Sequence, residues 1–595
     1  MTSEFVVIDQ AAESRSMPRT NAGVSVETAL YSVVFLMGTL LRWLSLGLVP
    51  LSLREAEQAL AALNNTSLPV GGSPLLFSFN QILFGLFGNS LGDAGPRLGA
   101  AVIGTALILL PWLYRDRIGR VGALAASTML AISPTFVFAS RLIDGTIVVV
   151  ACASAALGFG LRFIRSHRSI DLVGLAISIG VGLTSGPSIV TLLIVIGLGS
   201  SVVLRWIASK EADEVGSIRQ SIQRVQIRRA AWWGGGAFIL VATVALTNPS
   251  AIRFEPENFS AWLQAFRATP TISAALFLES AIIYEPLIIC VGLLGLFAVL
   301  VRVDGTSVLL ALWAVGSTMI VLLQPGHQAV DILLALTPLT LLAGMLIQSL
   351  TDSMRRHAAF LREGLVWLIG LPLAGYLVLL AASTAISHQG GSSVFLGVTI
   401  NPLLSFIVTA ALLLLLISAV FVIVIGAGAM LRAASSVIMV VLALISIGSA
   451  WSVNQLHVAD PRELLWGPIA TTSDVGDLRS ALHAASDRFT GDPNQISISV
   501  VAVQPNPILE WYLRDFKRVK TDVSPDVTAQ AVIVPQAISS TVSLGNYYGA
   551  SFAIRSIWSL DSLQPNGILR WWLYRDADRP AAFETVTVWI KANQP

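Results

Sequence analysis

Runs of about 20 apolar residues, the length a helix needs to cross a bilayer, recur along most of this chain. "ALYSVVFLMGTLLRWLSLGL" (29–48) and "LLSFIVTAALLLLLISAVFVIVI" (403–425) are two of them. With 54% hydrophobic and only 12% charged residues in 595, a soluble fold would lack polar groups to cover its surface. The class predicted is a mainly α, polytopic membrane protein. Spans are expected near 29–48, 94–114, 119–138, 142–161, 171–186, 188–207, 231–248, 278–300, 306–324, 329–349, 365–386, 402–427 and 433–452, about 13 in all. The segment "PLLFSFNQILFGLFG" (74–88) is apolar but short, and suits a helix at the interface better than a span.

Charge sets the orientation. Alternate loops divide into one set with 19 Lys and Arg, counting Arg15 and Arg19 of the N-terminal tail, and another with 6 before residue 453. By the positive-inside rule the tail (1–28) is cytoplasmic, and with an odd span number the chain after about residue 453 lies outside. The tail lacks the basic-then-apolar order of a cleaved signal, so the first span reads as an uncleaved anchor. Net charge is +2, which gives no reason to expect nucleic acid. Cys152 and Cys290 both lie in apolar runs and offer neither a disulfide framework nor metal-ligand spacing.

The expected organisation is therefore a tail (1–28), a transmembrane domain (29–454) with a first outer loop at 49–93, and an extracytoplasmic α/β domain (455–595). In the last part apolar runs shorten: "ISISVVAV" (496–503), "AQAVIVP" and "FETVTVWIKA" read as strands, and "SDVGDLRSALHAASDRF" as a helix. Its "WYLRDF" (511–516) and "RWWLYR" (570–575) read as core packing or membrane-interface contacts rather than a sugar-stacking platform.

The first outer loop holds "LSLREAEQALAALNN" (51–65), with Arg54, Glu55 and Glu57 where the first span ends. Ser52-x-x-Glu55 fits a capping box. Leu53, Ala56, Leu60 and Leu63 recur at helical spacing, which predicts an amphipathic helix on the outer surface. On that helix Glu55 and Glu57 point about 200° apart and cannot act as one pair.

The order of motifs resembles the membrane glycosyltransferases of the GT-C fold, in the group that contains protein O-mannosyltransferases and lipid A aminoarabinose transferases. The matching residues are Glu55-Ala56, Pro74, Phe87-Gly88 with Ser90, Arg97-Leu98, Ser133-Pro134, Ser140-Arg141 and Asp144. "YEPLIICVGLLGL" (284–296) and "GHQAVDILLALTPLTLLAG" (326–344) look like later spans of that group. The resemblance covers most of 29–350. It implies an enzyme of the cell envelope that moves a sugar from a polyprenyl-phosphate donor to a protein, lipid or glycan acceptor at the outer face.

Inverting transfer of that kind needs a carboxylate to take the acceptor proton and cations to stabilise the phosphate leaving group. The resemblance assigns Glu55 as the base, with Glu57 as the neighbouring candidate. It assigns Arg54, Arg97, Arg141, Asp144, Glu285 and His327 to the donor phosphate and substrate. A cavity open to lipid, bordered by Arg141 and Asp144, should receive the donor. Asp144 should pair with Arg141 three residues earlier on one helix face if it has no such role. A Glu55→Gln change is expected to leave folding nearly unaltered, because Gln also serves in a capping box. The sequence departs from the family pattern where Asp is usual: Arg54 stands there, and Val330-Asp331 replaces a basic-aromatic pair. Use of a divalent cation is left open. Two other readings remain: a GT-C-fold protein without catalysis that binds a lipid carrier or partner subunits, and a transporter using Asp144, Glu279, Glu285 and Asp331.

Overall fold

The computed structural model describes residues 25–210, 224–247, 254–270, 272–301, 303–357, 360–386, 393–395, 398–400, 402–458, 460–536, 545–560, 563, 565–577 and 580–592. Arg15, Arg19 and most of the tail fall outside these.

Among the described residues up to Leu456 the regular elements are helices and one two-stranded antiparallel pair, β1 (Ser393–Phe395) with β2 (Val398–Ile400). Among the described residues seven helices are long and apolar enough to cross a membrane, and the pair Ala274–Tyr284 and Pro286–Val301, bent by 100°, brings the count to eight when its halves are taken as one span. Their outer faces carry bare aliphatic side chains such as Val301 and Ile423, each 84% exposed, as lipid-facing surfaces do.

This count is lower than the sequence pattern because several expected spans are short or broken. The stretch 119–138 divides into helices Arg120–Ile132 and Pro134–Ala139. Pro134 keeps Ser133 out of helical geometry, and the Ser133 side chain caps the new helix at the Phe136 amide. The stretch 278–300 turns by 100° at Glu285–Pro286 for the same backbone reason. The segment 74–88 forms one short helix, Pro74–Phe87, with Pro at its first turn. Close helix contacts rest on glycine: a Cβ on Gly122 would stand 2.6 Å from the Gly344 carbonyl oxygen.

After the helices, six strands form one sheet: β3 (Ile469–Thr471), β4 (Ser497–Val501), β5 (Arg518–Asp522), β6 (Ala531–Pro535), β7 (Tyr547–Ile557) and β8 (Ala582–Lys591). The order is β3-β7-β8-β6-β4-β5, with β4 parallel to β5 and β6 and the remaining pairs antiparallel. Strands expected at 496–503, 529–535 and 583–592 are β4, β6 and β8. The expected helix is Asp474–Thr490, which ends at Gly491 with φ +71°.

The two Trp-rich segments join this sheet region to the helices. Trp571 is buried, and its indole N–H donates to the Arg462 carbonyl. Trp572 donates to the Ile283 carbonyl beside the 100° bend. Arg575 pairs with Glu463 at 2.9 Å, and Tyr284 donates to the other Glu463 oxygen at 2.6 Å. In the other segment Trp511 and Tyr512 both donate to Asp93, at 2.8 and 2.5 Å, and Tyr512 Oη accepts from the Leu51 amide. Packing and docking explain these aromatic residues.

Candidate functional site

Helix Leu53–Leu63 follows the first span and carries the capping box: Ser52 accepts from the Glu55 amide, and Glu55 accepts from the Ser52 amide. Its buried face differs from the expected one. Glu55, Ala56, Gln58, Ala59 and Ala62 face inward, while Leu53, Leu60 and Leu63 are only half-buried. The acid is buried because its partner is. Arg97, 1% exposed, meets Glu55, 2% exposed, through two hydrogen bonds of 2.8 Å.

The remaining capacity of this carboxylate is used as well. Glu55 Oε1 also accepts from the Ile143 amide at 3.1 Å, while Gln58 donates to the Ile143 carbonyl at 3.2 Å. Burial alone would raise the Glu55 pKa. The Arg97 charge and hydrogen bonds outweigh it and hold the carboxyl below its ordinary value. A carboxylate so held is a poor proton acceptor. Glu55 anchors the helix.

Arg97 and Arg141 are also occupied. Besides Glu55, Arg97 donates to the carbonyls of Leu46, Val49 and Pro50. Arg141 donates to those of Leu41, Leu44 and Ser45. Together they clamp the chain between Leu41 and Pro50, and neither lines the cavity described below. The expected pairing of Arg141 with Asp144 does not form, because 140–145 is a turn rather than a helix. Asp144 instead accepts from the Thr146 amide at 2.7 Å. Glu285 sits in the 100° bend and accepts from Ser133 Oγ and from the Thr135 amide at 2.9 Å. It therefore caps helix Pro134–Ala139 and does not line the cavity described next.

A cavity of about 680 Å³ lies between the helices and the sheet. Of the candidate residues, Arg54, Glu55, Glu57, Asp144 and His327 line it; Arg97, Arg141 and Glu285 stand behind. Arg54 is exposed and Glu57 half-buried. Glu57 has no hydrogen-bond or ion-pair partner among the described residues. His327 holds the Gln324 carbonyl through Nδ1 at 2.6 Å and packs edge-on against Phe277.

Two charged lining residues lay outside the assigned set. Asp331 accepts from Ser188 Oγ at 3.0 Å, from Thr146 Oγ1 at 3.4 Å and from the Gln328 amide at 2.9 Å. Thr146 thereby links the two acids Asp144 and Asp331. In the sequence Asp331 stands out only as a departure from the family pattern and as an acid a transporter could use; its place on this cavity wall depends on contacts far apart in the chain, with Thr146 and Ser188. Arg555 reaches the cavity from β7 and pairs with Glu584 at 3.5 Å. Among the described residues no three His, Cys, Asp or Glu side chains converge as a metal ion would need.

This arrangement of helices followed by a C-terminal sheet is shared with solved structures of the GT-C fold. Residues 71–212 match the sequence model of the family described as dolichyl-phosphate-mannose-protein mannosyltransferase. The structure is similar to that of ArnT from Cupriavidus metallidurans bound to undecaprenyl phosphate, with TM-score 0.55 and 14% identity over 94% of this chain and 97% of that one. It is similar to the same protein in the apo state, with TM-score 0.54 and 13% identity over 95% and 98%. No match is found among curated protein sequences.

Proposed function

We propose that this protein is a multi-pass membrane glycosyltransferase that moves a sugar from a polyprenyl-phosphate carrier to an acceptor in the 680 Å³ cavity. The observation that carries the reading is the placement of Arg54, Glu57, Asp144, His327 and Asp331 around one cavity. The fold shared with an ArnT bound to undecaprenyl phosphate supports the donor class.

Glu57 serves as the base, since it borders the cavity with its carboxylate unengaged, whereas Glu55 is fully held by Arg97. As the acceptor oxygen attacks the anomeric carbon, its proton passes to Glu57. The bond from that carbon to the phosphate oxygen breaks, and the polyprenyl phosphate leaves with the bonding pair. Arg54 stabilises the charge that develops there. The positive-inside bias supports a cytoplasmic tail and an external cavity and sheet region.

Purified protein in lipid nanodiscs, offered a panel of polyprenyl-phosphate sugars, tests the reading. Release of polyprenyl phosphate, by transfer or by hydrolysis, is the expected result. No turnover of any donor, with the protein folded, would remove it.

A further inference from the structure

Strand β3 is an edge of the sheet, and it forms a wall of the cavity. Its pairing with β7 fixes which backbone groups are used. The Trp558 amide donates to the Pro468 carbonyl and the Thr472 amide to the Ile554 carbonyl. In an antiparallel ladder the hydrogen-bonded positions alternate, so Ala470 opposite Ser556 is the intervening bonded pair. Ile469 and Thr471 are the non-bonded positions, and their N–H and C=O groups point away from β7. None of these four groups has a partner among the described residues.

A cavity wall with donors and acceptors alternating at strand spacing matches one chemistry, an extended polypeptide. Lipid chains offer no such groups, and glycan hydroxyls do not repeat at the residue rise of a strand. The exposed side chains of Ile469 and Ile557, 54% and 51% exposed, add an apolar contact on the same face for alternate residues of an incoming strand. Trp262 and Trp466 also line the space, and β3 and Glu57 border the same cavity.

We infer that the free edge of β3 receives the acceptor as an added strand, so that the acceptor is an extended polypeptide. This rests on the reading of the cavity as the place of transfer and names its acceptor class. Three residues of edge supply few hydrogen bonds, so binding is modest and each one counts.

The test uses the full chain in nanodiscs and a fluorescent eight-residue peptide of alternating Thr and Val. Its controls are the same peptide N-methylated at every amide, and a glycolipid offered as acceptor. Thr471→Pro and Ile469→Pro each delete one outward N–H and leave the bonds to β7 in place. By fluorescence anisotropy the peptide should bind wild type, and the N-methylated form about tenfold more weakly or less. Each Pro variant should lose about tenfold, while Thr471→Val stays within about twofold. Equal binding of the N-methylated peptide, unchanged binding by both Pro variants, or transfer to glycolipid with no peptide binding would overturn the inference. So would slow hydrogen exchange of the Ile469 and Thr471 amides without peptide, since the edge would already be covered. Donor hydrolysis is read separately. Donor turnover without peptide binding removes the strand inference alone, and peptide binding without turnover of any donor supports strand docking while removing the transferase reading.

Discussion

Arg97 and Glu55 lie 42 positions apart in the chain and meet through two 2.8 Å hydrogen bonds in a site closed to solvent. The same guanidinium holds three carbonyls of the loop after the first span, and the same carboxylate holds the Ile143 amide. One ion pair thus fixes both the entry to helix Leu53–Leu63 and the turn that carries Asp144. It builds the wall on which Glu57 and Arg54 stand.

Glu55→Gln should therefore destabilise the protein, contrary to what the capping box alone suggests. Gln restores the bond to Ser52 but leaves the buried Arg97 charge without its counter-charge, with only neutral oxygens to meet it. Breaking one side of a buried pair costs about 3–5 kcal/mol. Thermal unfolding in detergent should show a clear fall in Tm for Glu55→Gln. Replacing both residues, Glu55→Gln with Arg97→Leu, should cost less than the sum of the single changes.

The same pair sets a pH dependence. The Glu55 carboxyl is held below its unfolded value, so its contribution is complete above the ordinary glutamate pKa of about 4.3 and is lost as pH falls further through the folded value. Stability measured from pH 7 downwards should stay level in this respect to about pH 4 and then fall. The double variant should lack this component of the acid limb.

How much of this could be read from residues alone is clear from the same region. The capping box was legible because Ser52 and Glu55 are three residues apart and act locally. So were helix Pro74–Phe87 and strands β4, β6 and β8, whose patterns are short in range. The Arg97 partnership was not, because nothing in 42 residues of spacing marks a contact across the fold. The inward face of helix Leu53–Leu63 was misjudged for the same reason: spacing favoured the leucines, but the buried ion pair decided the rotation. Asp331 and Arg555 enter the cavity from distant parts of the chain, and strand β7 was hidden by "YYGAS", which has no clean alternation.

The junction between the sheet region and the helices should depend on Tyr512. Its hydroxyl donates to Asp93 and accepts from the Leu51 amide, next to the capped helix. Tyr512→Phe keeps the ring but leaves the buried Leu51 amide without its acceptor, at about 1–3 kcal/mol, and takes one hydrogen bond from the half-buried Asp93, which still accepts from Trp511. Limited proteolysis should show faster cleavage near residues 45–52, with the sheet region itself intact.

The sharpest expectation separates the two glutamates. Glu57 borders the cavity without a partner among the described residues, so Glu57→Gln removes a proton acceptor and no structural bond. Donor turnover in the presence of acceptor should fall by about 10²–10⁴-fold, the range of general-base loss, with Tm unchanged. Arg54→Gln should weaken turnover through loss of charge at the leaving phosphate, again without a change in Tm. If turnover survives Glu57→Gln at the wild-type rate, the base lies elsewhere in the cavity, and Asp144→Asn and Asp331→Asn become the comparison. Because Thr146 and Ser188 bind Asp331 and the Thr146 amide binds Asp144, those two changes should also lower Tm. Activity lost at constant stability is the mark of the base, and among the described carboxylates of this cavity only Glu57 is placed to show it.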